Sequence, residues 1–168
     1  MREQKGITLI SLAIMIVVIT IIASISFTTG KDTVELAQRE VRISELKVIQ
    51  AEINSIYEKY INDKEIFVRG ENRIYKGTEI KNIGENVSTV SEQANKALAS
   101  IGITDKSDFK YFSKEYMKNL GVEGIKNDYI VNIETRQVLS LNGFDYNGTE
   151  VYSLIQIPNE QYNVNYNP

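Results

Sequence analysis

Met1-Arg2-Glu3-Gln4-Lys5-Gly6 is followed by Ile7-Thr8-Leu9-Ile10-Ser11-Leu12, and the uncharged run then continues through Phe27 to Gly30. The charges of this opening all precede Ile7, and the next one is Lys31. Residues 7–27 would form a helix about 31 Å long at about 1.5 Å per residue. That length matches the roughly 30 Å hydrocarbon core of a bilayer. Thr8, Ser11, Thr20, Ser24 and Ser26 fit such a helix, because hydroxyls bond back to helix carbonyls. Arg2 and Lys5 lie before the run, so the positive-inside rule keeps residues 1–6 in the cytoplasm and sends the rest outward. The expectation is a cytoplasmic leader over 1–6 and a transmembrane helix over 7–30 of a single-pass membrane protein.

Three readings of this segment compete. Ser24-Ile25-Ser26 is a small-x-small triplet at which a signal peptidase could cut before Phe27, although the apolar region is longer than the usual 7–15 or so residues. An unprocessed signal anchor is the second reading. The third rests on Lys5-Gly6-Ile7-Thr8-Leu9-Ile10-Ser11-Leu12. This stretch resembles the cleavage and methylation site of type IV prepilins, where a basic-Gly pair precedes Phe-Thr-Leu-Ile-Glu-Leu.

The resemblance implies cutting between Gly6 and Ile7 by a prepilin peptidase, N-methylation of Ile7, and a structural rather than enzymatic role. It implies other pilin subunits as partners in a helical filament, membrane-embedded assembly machinery, and the lipid bilayer as the surroundings before assembly. Gly6 suits a protease cleft because it has no Cβ. Ile7 replaces the usual Phe, and Ser11 replaces the usual Glu. In the family that carboxylate meets the charged N-terminal amine of a neighbouring subunit, and a buried amine without a counter-ion is costly. Ser11 offers a hydrogen bond and no charge. The expectation is a minor pilin or pseudopilin, with a major pilin that manages without the carboxylate as the alternative.

Composition narrows the rest. The 168 residues suit one membrane segment and one modest domain. Lys+Arg 19 against Asp+Glu 22 gives a net charge of −3, without a long basic stripe, so nucleic acid is not an expected partner. The chain has no cysteine and no histidine, which removes disulfides, zinc-thiolate sites and Ser-His or Cys-His catalysis. No cofactor, metal or catalytic residue is expected.

Residues 31–61 read as an amphipathic continuation of the helix. Thr28-Thr29-Gly30 is a weak helical stretch, and Asp32-Thr33-Val34-Glu35 looks like a capping box that reopens the helix. Leu46, Ile49, Ile53, Ile56 and Tyr60 recur at three- and four-residue steps, with Val34, Ala37 and Val41 extending the stripe backwards. Arg39, Glu40, Arg42, Glu45, Lys47, Glu52, Glu58 and Lys59 populate the other faces.

Residues 62–168 read as an extracytoplasmic α+β head. Residues 66–69 and 73–76 flank Gly70-Glu71-Asn72 as a hairpin. Ser91 starts a short helix that ends near Gly102. Ser107 or Asp108 caps another, with Phe109, Phe112, Tyr116 and Leu120 on one face. Residues 128–133 and 138–141 form a hairpin around Glu134-Thr135-Arg136-Gln137. This resembles the Tyr-Ile-Val-Asn-Tyr-Glu-Thr-Gly-Glu-Val pattern of Gram-positive pilin-like proteins, with Arg136 where the family has its turn Gly. Asn147-Gly148 marks a further turn before a strand over 151–157, and the tail after Pro158 is expected to be loose. Asp145, Asn147 and Glu150 offer oxygen ligands for calcium, but without EF-hand spacing. The expected fold is α+β and pilin-like. A long N-terminal helix, transmembrane then amphipathic, packs on a small antiparallel sheet with one or two short helices. A pseudopilin of a type II secretion-like system and an unprocessed membrane-anchored binding module are the other function classes.

Overall fold

Leu46, Ile49, Ile53 and Ile56 are all buried to 1% exposure or less. They lie on α1, the helix Glu3–Ile61 of the computed structural model. The structure describes the backbone of residues 3–158 and the side chains of 15–20 and 33–158. The chain divides into two units, Met1–Glu40 and Val41–Pro168.

In the first unit the backbone is helical from Glu3 onward. The weak stretch at Thr28-Thr29-Gly30 and the expected cap at Asp32 do not interrupt it, since α1 runs on through both. A cap satisfies N–H groups that lack an intrahelical acceptor. In a continuing helix the preceding turn already supplies those acceptors. Thr20 Oγ1 donates to the Ile16 carbonyl at 2.7 Å, so this hydroxyl sits on the helix as expected.

The expected membrane span is corrected. Among the described residues, no helix is long and apolar enough to cross a membrane. The described apolar side chains of this unit, Met15 to Ile19 together with Val34, Leu36 and Ala37, are all exposed. Beyond Thr33, Glu35, Arg39 and Glu40 bring charge into the helix. The fold is a small α+β one with a long helix and several antiparallel sheets. The remaining side chains of the expected span, and the tail after Pro158, lie outside the described residues.

In the second unit α1 ends at Ile61, where Asp63 takes a left-handed φ of 50° and the Lys64 N–H reaches back to the Lys59 carbonyl at 2.9 Å. Strands β1 (Glu65–Val68) and β2 (Arg73–Lys76) form the expected hairpin. The four-stranded sheet has the order β3-β4-β5-β6, built from Glu85–Asn86, Lys110–Phe112, Tyr129–Asn132 and Gln137–Ser140. All its pairs are antiparallel. Strands β7 (Phe144–Tyr146) and β8 (Thr149–Val151) form a third, separate hairpin. Among the described residues, three sheets thus replace the single one expected.

Every residue of β5 and β6 is buried. Side chains alternate between the faces of a strand, so both faces must be covered. Tyr129, Val131 and Val138 pack with the α1 stripe in one cluster. Ile130 and Leu139 pack with Ala94, Ala97 and Leu98 of α2 (Ser91–Ala99) in the other. Helix α2 closes as the sequence suggests: Gly102 has φ 78°, and the Ile103 N–H bonds the Leu98 carbonyl at 3.0 Å.

Two elements differ from expectation. Residues 110–112 are not helical but form β4 between β3 and β5. The helix there, α3 (Lys114–Asn119), starts later, with the Tyr116 N–H donating to the Ser113 hydroxyl at 3.1 Å. The strand expected over 151–157 stops at Val151. Gln156 Oε1 accepts the N–H groups of Tyr152 at 2.7 Å and Ser153 at 3.1 Å, which curls the chain into a 3-10 turn.

Candidate functional site

The processing junction Lys5, Gly6, Ile7, Thr8, Leu9, Ile10, Ser11 and Leu12 lies on the helical backbone of α1. Its side chains fall outside the described residues. The described side chains of α1 within the second unit form two dissimilar faces.

One face is committed to the head. Ile43, Leu46, Ile49, Ile53 and Ile56 are buried against the sheet. Polar contacts add register to this packing. Glu45 is only 7% exposed. Its Oε1 accepts the Lys126 N–H at 2.8 Å, and its Oε2 accepts the Tyr129 hydroxyl at 2.9 Å and the Asn127 side-chain amide. The sequence placed Glu45 among the charges on the faces other than the apolar stripe. This is corrected because its partners lie more than eighty residues away, at 126–129, beyond the reach of any local pattern. Burial first, and the Glu45 carboxylate second, push the Tyr129 hydroxyl up from its ordinary value.

One turn farther along, Gln50 Nε2 donates to the Arg136 carbonyl at 2.9 Å. The Arg136 guanidinium lies over the Tyr57 ring, 4.7 Å from its centroid. Arg136 itself has φ 59°, the left-handed region that glycine occupies most easily. An arginine thus meets the turn geometry of a glycine, and α1 holds both its carbonyl and its side chain.

The opposite face is open. Val41, Ser44, Val48, Ala51 and Ser55 are all exposed. They follow alternating three- and four-residue steps, centred about 160° around the helix from the buried stripe at 3.6 residues per turn. Val41 therefore does not extend the buried stripe, being 48% exposed, and neither do Val34 and Ala37 in the first unit. The side chains of the open face are small, which permits close approach of another helix.

A second cluster braces the hairpin of β1 and β2. Glu71 accepts the hydroxyls of Tyr116, at 2.7 Å, and of Tyr75. The Tyr116 oxygen in turn accepts the Gly84 N–H at 3.0 Å. Burial foremost, then the hydrogen bond to Glu71, raises the Tyr116 hydroxyl above its ordinary range. Two of the oxygen atoms considered for calcium are otherwise engaged. Asp145 Oδ1 accepts the Gly148 N–H at 3.2 Å, and Glu150 pairs with Lys96 at 3.0 Å. Among the described residues no cluster of three or more acidic side chains is placed to hold a metal ion.

Two clefts of the second unit have little convergent chemistry. One is a small polar notch between Lys81, Asp108, Lys110 and Glu134. The other is an open groove of about 500 Å³ along α3, between Lys114, Lys118, Val122 and Ile125. No family model, curated protein or solved structure matches the chain.

Proposed function

We propose that the chain is a structural subunit, a minor pilin, of a type IV pilus-like filament at the cell surface. A prepilin peptidase cuts between Gly6 and Ile7, Ile7 is N-methylated, and the apolar N-terminal helix joins other subunits. The observation that carries the reading is the junction itself: Lys5-Gly6 directly before Ile7-Thr8-Leu9-Ile10-Ser11-Leu12, with no charge again until Lys31.

The two faces of α1 agree with this role. A helix that only served the head would need one apolar face. Here the buried stripe holds the head, and Val41, Ser44, Val48, Ala51 and Ser55 remain exposed for the helix of another copy. Ser11 in place of the usual carboxylate favours a minor subunit, because an amine placed beside it would lack a counter-ion.

Co-expression with a prepilin peptidase tests the processing step. The wild-type chain should lose residues 1–6, and Gly6→Val should accumulate at full length, since a β-branched side chain blocks close backbone approach. Equal processing of both would contradict the reading. So would recovery of the wild-type chain as the bulk component of purified pili, which would make it a major subunit.

A further inference from the structure

Asn147 and Gly148 form the turn between β7 and β8, with φ of 55° and 83°. Tyr146 and Thr149 pair in register, so the loop is just these two residues. Two successive positive φ values mark a type I′ hairpin turn. Both residues are exposed, and a Cβ built on Gly148 would meet nothing within 4 Å. The Gly148 N–H points at a carboxylate, donating to Asp145 Oδ1 at 3.2 Å.

The sequence has a second Asn-Gly pair, Asn142-Gly143, in contrasting surroundings. A Cβ on Gly143 would lie 2.7 Å from Glu150 Cγ and 2.8 Å from Tyr152 Cζ. The Asn142 carbonyl accepts the Ser140 hydroxyl at 2.7 Å. Asn142 is exposed like Asn147, but the glycine after it is hemmed in by Glu150 and Tyr152, whereas Gly148 has clear space and a carboxylate beside its N–H.

We propose that Asn147 is a self-modification site, at which the Gly148 nitrogen closes on the Asn147 side-chain amide and converts it to aspartate and isoaspartate, while Asn142 is held unreactive. The bond from Gly148 N to Asn147 Cγ forms as the amide proton passes to Asp145 and on to water. The Cγ–Nδ2 bond breaks, and Nδ2 takes up a proton and leaves as ammonia. The cyclic imide then adds water across one of its two C–N bonds. Opening at Cγ yields aspartate, and opening at the main-chain carbonyl yields isoaspartate. No oxidant or reductant takes part. Gly148 matters because it lacks the Cβ that would crowd the attacking nitrogen.

The product loosens its own hairpin. Asp145 and Glu150 already face each other across β7 and β8, and a new carboxylate at 147 adds repulsion to that pair. Isoaspartate also lengthens the main chain of a turn whose register depends on two residues.

Ageing the full chain in mildly alkaline buffer, followed by peptide mapping with mass spectrometry, tests the proposal. Conversion should run several-fold faster at Asn147 than at Asn142, and the two rates should converge in denaturant. Asp145→Asn should slow conversion at Asn147 in the folded chain, Asp145→Glu should restore it, and Gly148→Ala should suppress it. Equal rates at the two sites in the folded chain, no conversion at Asn147, or an unchanged rate in Asp145→Asn would overturn the proposal. The proposal is independent of the filament reading, and the experiment leaves the processing at Gly6 untouched.

Discussion

The Glu45 carboxylate and the Tyr129 hydroxyl meet at 2.9 Å in the core, where helix α1 crosses the first residue of β5. The same carboxylate receives the Lys126 N–H, so one side chain on α1 gathers donors from the segment that leads into β5. Removing the acceptor strands all of them. Glu45→Ala should destabilise the head by about 3 kcal/mol or more, because buried donors left unpaired cost about 1–3 kcal/mol each. Tyr129→Phe removes one donor of several and should cost about 1–2 kcal/mol. Urea unfolding of both variants checks the order, and a Glu45→Ala cost below that of Tyr129→Phe would contradict it.

Alkaline pH should weaken the same region. Burial and a neighbouring carboxylate raise the hydroxyls of Tyr116 and Tyr129, and burial with Asp128 raises Tyr111 to about 12. In the unfolded chain these phenols ionise at the ordinary tyrosine value of about 10. A raised folded value means that the native state keeps the proton while the unfolded state loses it. The contribution is therefore complete below about pH 10 and falls as pH rises beyond it. Denaturant midpoints measured on either side of pH 10 should show this fall, and Tyr129→Phe should make it shallower. An unchanged slope in that variant would remove Tyr129 from the explanation.

Arg136 offers a test of the turn. A left-handed φ costs a side-chain-bearing residue roughly 1–2 kcal/mol relative to glycine, while the guanidinium over Tyr57 returns about 0.5–1 kcal/mol. Arg136→Gly should accordingly be near neutral. Arg136→Ala keeps the backbone cost and loses the ring contact, so it should destabilise by about 1 kcal/mol. Thermal melts of the two variants decide the matter, and a larger loss for glycine than for alanine would contradict it.

What the sequence made legible follows from the range of each interaction. The stripe Leu46, Ile49, Ile53 and Ile56 was readable because its spacing repeats within a few residues. The same spacing misled at Val34, Ala37 and Val41, since the open face of α1 obeys it too, and period alone does not say which face meets a sheet. Phe109, Phe112 and Tyr116 mimic a helical stripe, yet pairing of residues 110–112 with β5 overrides that pattern. A turn at 134–137 was expected, but the support of Arg136 by Gln50 and Tyr57 crosses about half the chain. Glu45 had no local signal at all. The processing junction was legible as a motif, and its side chains lie outside the described residues.

The two faces of α1 should separate stability from assembly. Ile53 is fully buried, so Ile53→Ala should cost about 2–5 kcal/mol. Val48 is 46% exposed, so Val48→Lys should leave stability within about 0.5 kcal/mol. The lysine would nonetheless place a charge where another helix must approach closely. Denaturant unfolding should find Val48→Lys near wild type, and electron microscopy should find it missing from filaments. Normal incorporation of that variant would show that the open face is not used.

The account depends most on what happens at the start of the chain, and intact-mass and peptide spectrometry of the protein recovered from its native cells reads this directly. The account predicts a mature N-terminus at Ile7 that carries a methyl group on its amine. A chain that still begins at Met1, or one that begins at Phe27, would contradict it.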